Sequence, residues 1–406
     1  MFLFFKSILI AVALSVILIS SIYFSIRLSF RQFNFLEILK SLFFKNIKGS
    51  IKSLFVALSG RIGVGSIAGV AVAIIYGGAG TIFWMWIVAL VTGVLAYAES
   101  YLAVKFKSNV TGPSCYIKYG LNKNSLALVY SFIVIAAYLI GFIPIQANTV
   151  INSTNFNKFI LGFVLFLGTF FVLKRGVYKI INLIGKIIPL IGFIYISMTF
   201  YVIILNISSL PLVFKNIFTC AFNLKSFFSS FIPMVIIAIQ RCIFSNESGL
   251  GLGALAVGAS DSTNPRSTAL VQVFGVYVVT MIVCTSSAFL LLMTPYTDTL
   301  VNNINGIEVI KMAFNYHFGC VGGFLLFICI FLFAFSTVLS GYYYIVSSAS
   351  FIGIKNFFVF NFLVSFSVFF GCLLNPSFIW DLVDIMVAIM AIINVYSLYK
   401  LRGKIK

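Results

Sequence analysis

Charge is scarce in this sequence: only 9% of its 406 residues are Asp, Glu, Lys or Arg, where a soluble domain has near a quarter. Acidic residues are scarcer still, eight against 27 Lys and Arg. There is one histidine, His317, with no companion ligands nearby to make a metal site. The seven cysteines (Cys115, Cys220, Cys242, Cys284, Cys320, Cys329 and Cys372) form no CxxC pair. Most lie in apolar runs, where a free Cys behaves as a small hydrophobe. They read as reduced and structural, which excludes a disulfide scaffold. What remains is apolar: 62% of residues are hydrophobic, and mean hydropathy is +1.14. At about 20 apolar residues per crossing, this chain accommodates roughly ten to twelve membrane spans. Little is left for a cytosolic domain or a nucleic-acid reader.

Apolar runs fall at 7–26, 52–76, 80–104, 125–149, 158–173, 183–206, 228–256, 268–294, 319–349, 356–373 and 378–399. They predict eleven helical spans and an all-α integral membrane protein. The first run continues to about residue 26 and is followed by Arg27 and Arg31. That suits a retained span better than a cleaved leader. With eleven spans, twenty Lys and Arg fall on the side of the C-terminal tail and five on the other, with Arg61 and Arg241 inside spans. Cytoplasmic loops collect positive charge, so the N-terminus is expected outside and the C-terminus in the cytoplasm. The net charge of +19 is then topology, and no nucleic-acid partner is expected. Segment 34–46 carries Phe35, Ile38, Leu39, Leu42 and Phe43 at helical spacing. It reads as an amphipathic helix on the inner membrane surface or as an ordinary connecting helix.

Two spans differ from the rest. The second contains GRIGVGSIAGV (60–70) and the seventh QRCIFSNESGLGLGALAVGA (240–259), each with four glycines. Glycine weakens a helix by about 1 kcal/mol relative to Ala, so both spans are expected to break there. Unwound backbone is tolerated inside a membrane only where protein or a cavity satisfies it. Freed carbonyls can hold a cation, and half-helix N-termini can receive a carboxylate. The competing reading is glycine for close helix packing. Each broken span is followed by four more. Five being odd, the second set is inverted relative to the first, and span 1 lies outside the repeat. The expected divisions are 1–50 (first helix and connector), 51–206 (first five-helix repeat) and 207–406 (second repeat and tail).

Buried ionisable groups are costly at mid-membrane, at least about 2.5–3.5 kcal/mol each, so they should face a cavity or a partner. Arg61 and Arg241 precede the two breaks; Glu99 lies late in span 3 and Glu247 in the break of span 7. Arg61 with Glu247 is a candidate gating pair, or an inert structural one. Asp381 and Asp384 open span 11, where capping is the expected role. Gln146 and Asn148 bring hydrogen-bonding capacity to span 4, beside a kink at Pro144. In span 9, Ser336 and Thr337 lie one turn from the Phe333 carbonyl. Such oxygens suit a hard cation such as Na⁺, although hydroxyls in spans often bond back to their own helix.

The stretches GRIGVGSIAGVAVAI, GGAGTIFWMWIVALVTGVLAYAESYLAVKF (77–106), GPSCYI, QANTV, FSNESGLGLGA, VCTSSA, FLFAFSTVLSGYYY and WDLVDIMVAIMAIIN occur in this order. From about residue 55 to 399 the chain thus resembles the alanine/glycine:cation symporters, also called sodium:alanine symporters. The resemblance implies a leucine-transporter-like fold, a 5+5 inverted repeat with one extra N-terminal helix. It implies sodium-coupled uptake of a small neutral amino acid through the cell membrane, with no cofactor beyond Na⁺ as coupling ion. Substrate would meet Gly63, Val64, Gly65 and Ser66 in one break and Ser248, Gly249, Gly251 and Gly253 in the other, with Gln146, Thr337 and Gly341 nearby. Sodium would draw on Ser59, Ile62, Phe333, Ser336 and Thr337.

Departures from the family pattern stand at Val64 and Ser66 (usually GTGN), at Gly341 (usually Trp), at Val279 (usually Asp) and at Leu252 (usually Ser). The Gly341 departure leaves a larger pocket or one refilled, for instance by Tyr342. Alternatives to sodium symport are proton coupling through Glu247 or Glu99 and a transporter-like sensor that binds without translocating. A membrane enzyme using His317 lacks a companion nucleophile or acid, so an enzyme is not expected.

Overall fold

The computed structural model describes residues 2–43, 48–223, 227–295 and 306–406. Helices are the only regular secondary structure among the described residues. That is the solution open to an apolar chain whose backbone groups find no water. In order they are α1 (Phe2–Arg27), α2 (Phe35–Phe43), α3 (Lys48–Arg61), α4 (Ala68–Gly77), α5 (Thr81–Lys105), α6 (Asn124–Asn152), α7 (Lys158–Leu173) and α8 (Val177–Leu205). There follow α9 (Leu210–Ala221), α10 (Ile232–Asn246), α11 (Leu252–Ala256), α12 (Pro265–Leu292), α13 (Gly306–Phe318), α14 (Gly322–Ile352), α15 (Phe358–Leu373) and α16 (Pro376–Lys400).

Among the described residues, eight helices are long and apolar enough to cross a membrane, and α3 with α4, bent by 64°, forms a ninth. The apolar α7 and α15, with 16 residues each, reach only about 24 Å at 1.5 Å per residue. All eleven apolar runs of the sequence coincide with helices.

The packing follows a paired pattern. Helix α5 packs on α10 as α12 packs on α3; α8 packs on α14 as α16 packs on α6. The contacts of α5 with α12, α6 with α14 and α7 with α15 join equivalent positions, while α6 also packs on α15 with no matching contact of that extent between α7 and α14 among the described residues. Two inverted sets of five related by a twofold account for the paired contacts, the α6–α15 contact excepted. Helix α1 stands outside it, against α16 and α5.

Three features depart from the sequence reading. Helix α9 lies between the sixth and seventh runs; Val213, Ile217 and Ala221 at four-residue spacing give it a buried stripe. The Trp84 indole donates to the Ala221 carbonyl at its end (3.1 Å). Asp381 and Asp384 do not cap α16. Asn375 does, accepting from the Ser377 N–H (3.0 Å), and both aspartates pair with Lys6 of α1. In α2, Ile38 and Ser41 are buried while Phe35, Leu36 and Leu39 are exposed, so the element is both connector and apolar surface. Residues 44–46 of the expected amphipathic segment lie outside the described residues, as do Lys45 and Lys225 of the charge count.

Candidate binding site between two broken helices

The first break runs from Ile62 to Ile67. Helix α3 stops at Arg61, a single 3₁₀ turn spans Val64–Ser66, and α4 resumes at Ala68. The reason is steric as well as intrinsic. A Cβ on Gly65 would overlap the Phe244 ring, and one on Gly63 would lie 2.7 Å from Thr337 Oγ1 and 3.0 Å from Gln146 Oε1. Neutral side chains satisfy the freed backbone. The Val64 N–H donates to Gln146 Oε1 (3.0 Å) and Ser287 Oγ donates to the Ser66 carbonyl (2.6 Å). Ser66 Oγ meets Ser245 Oγ at 3.0 Å.

The second break, after α10, is of a different kind. Glu247, Gly249 and Gly251 have φ of 56°, 83° and 84°. Glycine adopts such backbone freely; a Glu there costs about 1–2 kcal/mol. A network centred on a carboxylate secures the segment. Glu99 Oε2 accepts from the Gly251 N–H (2.9 Å) and from Asn394 Nδ2 (3.0 Å). Asn394 Nδ2 also donates to the Gly249 carbonyl (2.8 Å), Tyr116 donates to Asn394, and the Tyr130 hydroxyl donates to the Leu250 carbonyl. Ser248 Oγ and Glu247 Oε2 are buried without a hydrogen-bond partner.

Beside the first break, oxygens converge from two helices. Thr337 Oγ1 lies 2.9 Å from the Ser59 carbonyl and 3.1 Å from the Phe333 carbonyl; Ser336 Oγ lies 2.8 Å from the Phe333 carbonyl. Ser59 Oγ donates to the Ser336 carbonyl (2.5 Å). Ile62 lies just past the end of α3, its N–H bonded to the Leu58 carbonyl (2.6 Å). All of these residues are buried. An all-oxygen set of two carbonyls and two hydroxyls matches what a hard monovalent cation accepts. The two hydroxyls do bond back to α14, but Thr337 also reaches across to α3.

On one side the breaks are covered by a single aromatic layer. Phe244, against Gly65, stacks on Phe142 (centroids 5.8 Å, planes within 1°) and meets Trp380 at 5.0 Å. The Arg241 guanidinium lies over Trp380 at 4.7 Å. Beyond them opens a cavity of about 340 Å³, lined by Lys6, Asn148, Arg241, Trp380, Asp381 and Asp384 among others.

On the opposite side the covering is thicker and polar. Glu247 lies beside Gly60, with Tyr138 Oη 3.4 Å from its Oε1 and Tyr344 close by. Behind it Arg61 donates to the Gln272 carbonyl (3.2 Å). A Cβ on Gly253 would lie 2.8 Å from Arg61 Nη2 and 2.9 Å from Glu99 Oε1. Arg61 Nε and Nη2, Glu99 Oε1, Glu247 Oε2 and Gln272 Oε1 all lack partners.

The structure therefore gathers Ser59, Gly63, Val64, Gln146, Phe333, Ser336 and Thr337 into one cluster. It brings Gly65 and Ser66 against the second broken helix through Phe244 and Ser245. Ser248, Gly249, Gly251 and Gly253 lie in or just after the second break. Arg61 and Glu247 make no direct ion pair; Arg61 donates to the Gln272 carbonyl and lies beside Glu99, with Glu247 on the Gly60 side of the same region. The space beside Gly341 is filled by Tyr138, not Tyr342, since a Cβ there would lie 2.6 Å from the Tyr138 ring. His317 binds the Leu290 carbonyl (2.8 Å) at the end of α13, away from the breaks. Sequence reasoning missed Phe142, Phe244, Trp380, Tyr116, Tyr130, Ser287 and Asn394. Asn394 alone carried a signal, an amide in an apolar run.

A family profile described as "Sodium:alanine symporter family" matches residues 1–406. The amino-acid carrier protein AlsT of Bacillus subtilis is 32% identical over 393 residues, 92% of this chain and 83% of that protein. The sodium/alanine symporter AgcS of Methanococcus maripaludis is 30% identical over 410 residues, 95% of this chain and 90% of that one. Among solved structures, MhsT in complex with L-phenylalanine superposes with a TM-score of 0.56 at 14% identity, over 88% of this chain and 98% of that one. At that identity the likeness speaks for the fold alone, which is the leucine-transporter-like architecture expected from the sequence.

Proposed function

The chain belongs to the sodium:alanine symporter family, so it is a multi-pass membrane transporter and not an enzyme; on that premise we propose that it carries a small neutral amino acid into the cell together with Na⁺. The observation that carries the reading is the oxygen cluster between α3 and α14 directly beside two facing helix breaks. In this reading Ser59, Phe333, Ser336 and Thr337 hold Na⁺, with Ile62 next to them. Gly63 to Ser66 and Gln146 meet the carboxylate end of the amino acid, and Ser248 to Gly253 line the facing side. The side chain of the substrate is kept small by Phe244 against Gly65 and by Tyr138 against Gly341.

The aromatic layer is the thin gate, open to the polar cavity above it, and the Glu247–Arg61–Glu99 region is the thick one. Alternating access then means rocking α3–α5 and α10–α12 against α6, α7, α14 and α15. The division into repeats at 51–206 and 207–406 belongs to the same reading and is supported by the paired helix contacts. The cavity side is assigned to the exterior, with the N-terminus outside, the C-terminus cytoplasmic and the location the cytoplasmic membrane. The support is the charge bias and the gathering of Arg27, Lys105, Arg266, Arg402 and Lys404 at the other end.

The test is uptake by proteoliposomes across a panel of labelled neutral amino acids, with and without an inward Na⁺ gradient. Uptake of one or a few small ones only with the gradient is expected. A second reading, proton coupling, is favoured by the buried carboxylates Glu99 and Glu247, each with an unpartnered oxygen. Uptake that persists with choline in place of Na⁺ but collapses with the proton gradient would select it. Binding without uptake under either gradient would select a sensor.

A further inference from the structure

A second cavity, of about 350 Å³, lies at the basic end of the molecule, far from the breaks. It is lined by Arg27, Leu28, Ser29, Arg31, Ile405 and Lys406. Three of the six side chains are cationic and none is acidic. Its shape is fixed rather than incidental. The chain leaves α1 through Ser29 and Phe30, two successive non-glycine residues with φ of 50° and 53°, an arrangement that costs on the order of 1 kcal/mol or more per residue. Buried bonds hold it there. Gln32 Nε2 donates to Ser25 Oγ (2.6 Å), and the Tyr277 hydroxyl of α12 donates to the Gln32 carbonyl (2.7 Å). The floor is pinned as well: Arg27 Nε donates to the Arg402 carbonyl (3.2 Å), and the Tyr97 hydroxyl donates to the Lys406 carbonyl (2.9 Å). The nearest acid on this face, Glu37 of α2, is engaged by Arg266.

An uninterrupted apolar strip leads away from the cations. Ile19, Ile22 and Ile26 are exposed along one face of α1. Phe30 and Phe33, also exposed, continue it as a stacked pair with centroids 6.1 Å apart. Phe35, Leu36 and Leu39 extend the apolar surface along α2. A basic concavity with an apolar track running into the bilayer matches an amphiphile with a phosphate head and acyl tails. A free phosphate would engage the concavity alone, whereas a phospholipid engages the cations and the adjoining apolar face together.

We propose that this cavity binds the headgroup of one anionic phospholipid, its phosphate held by Arg27 and Arg31 and its acyl chains lying along Ile19, Ile22, Ile26 and Phe30. Because Tyr97 and Tyr277 belong to α5 and α12, the bound lipid braces to α1 and the C-terminal segment the two helices that pack on the broken α10 and α3.

The test uses the purified full-length protein in a neutral detergent, with lipid retention read by native mass spectrometry and stability by thermal melting. Phosphatidylglycerol should be retained and raise the melting temperature; phosphatidylcholine and inorganic phosphate should do neither. Changing Arg27→Gln with Arg31→Gln should cut phosphatidylglycerol retention by about fivefold for each cation removed. Arg175→Gln with Lys179→Gln, in another basic hollow formed by the α7–α8 loop and the first turns of α8, should leave it unchanged. Should the double variant not fold, Arg31→Gln alone, which keeps the Arg27–Arg402 bond, carries the test. Equal retention of phosphatidylcholine, equal stabilisation by inorganic phosphate, or equal loss in the Arg175/Lys179 variant would each overturn the assignment.

Discussion

The two helix breaks face one another but are built differently. The break at 62–67 keeps negative φ at Gly63 and Ile67, and uncharged Gln146 and Ser287 hold it. The break at 247–251 is folded through the left-handed region and is tied to a buried carboxylate. Neutral, single-bond partners are cheap to exchange, since each such bond is worth only about 0.5–1.5 kcal/mol net. A buried network of several hydrogen bonds converging on one carboxyl group resists being disassembled. On the proposed function, the first break is the one that loads and releases cargo and the second defines the pocket wall.

The largest effect that bears on this contrast is expected at Glu99. Replacing it with Ala orphans the Gly251 N–H and the Asn394 amide, a loss of about 2–5 kcal/mol that should appear as a large drop in melting temperature and no uptake. Glu99→Gln, which keeps an acceptor, should recover most of the stability. A Glu99→Ala protein that melts like the parent would remove the network from its structural role. Next come the glycines. Gly251→Ala places a side chain at φ 84° and against Pro113 and Tyr130; strain of about 1–2 kcal/mol plus overlap should lower the melting temperature. Gly63→Ala keeps an allowed φ but brings its Cβ within 2.7 Å of Thr337 Oγ1 and 3.0 Å of Gln146 Oε1, so melting should fall less than for Gly251→Ala while Na⁺-dependent uptake weakens. The reverse order of the two melting temperatures would break the comparison.

A smaller change is expected from Ser336→Ala with Thr337→Ala. The Na⁺ concentration for half-maximal uptake should rise about tenfold, equivalent to roughly 1.4 kcal/mol, with Thr337→Ser close to the parent. An unaltered Na⁺ dependence would reject the oxygen cluster as the ion site. The smallest is Glu247→Gly. Relieving one left-handed non-glycine residue should stabilise by about 1 kcal/mol, and uptake should nevertheless fall, because strain kept at such a position serves the site. A variant both more stable and fully active would mean that Glu247 does nothing there.

Much of this was legible in the sequence. Glycine clusters marked both breaks because their effect on a helix is local, and apolar run length marked the spans for the same reason. The Ser336–Thr337 hydroxyls could be found because they share a turn with the Phe333 carbonyl. The aromatic layer could not: among 47 Phe, nothing local separates Phe142 and Phe244 from those that face lipid. The Lys6–Asp381 pair spans 375 positions, and a capping position was the nearer explanation for an acidic residue in a first turn. Arg61 and Glu247 were matched by charge alone. The structure directs Arg61 toward Gln272, because the unwound segment turns Glu247 toward Gly60 and Tyr138.

The link between Lys6 and the two aspartates of α16 also sets a schedule. Those partners are separated by nearly the whole length of the polypeptide. At about 5–20 residues added per second, the first helix waits roughly 20–75 seconds in the bilayer before its counterpart is made. The rim of the cavity is therefore among the last parts to be assembled, so a truncated nascent chain lacks a finished entrance, whatever the state of its interior.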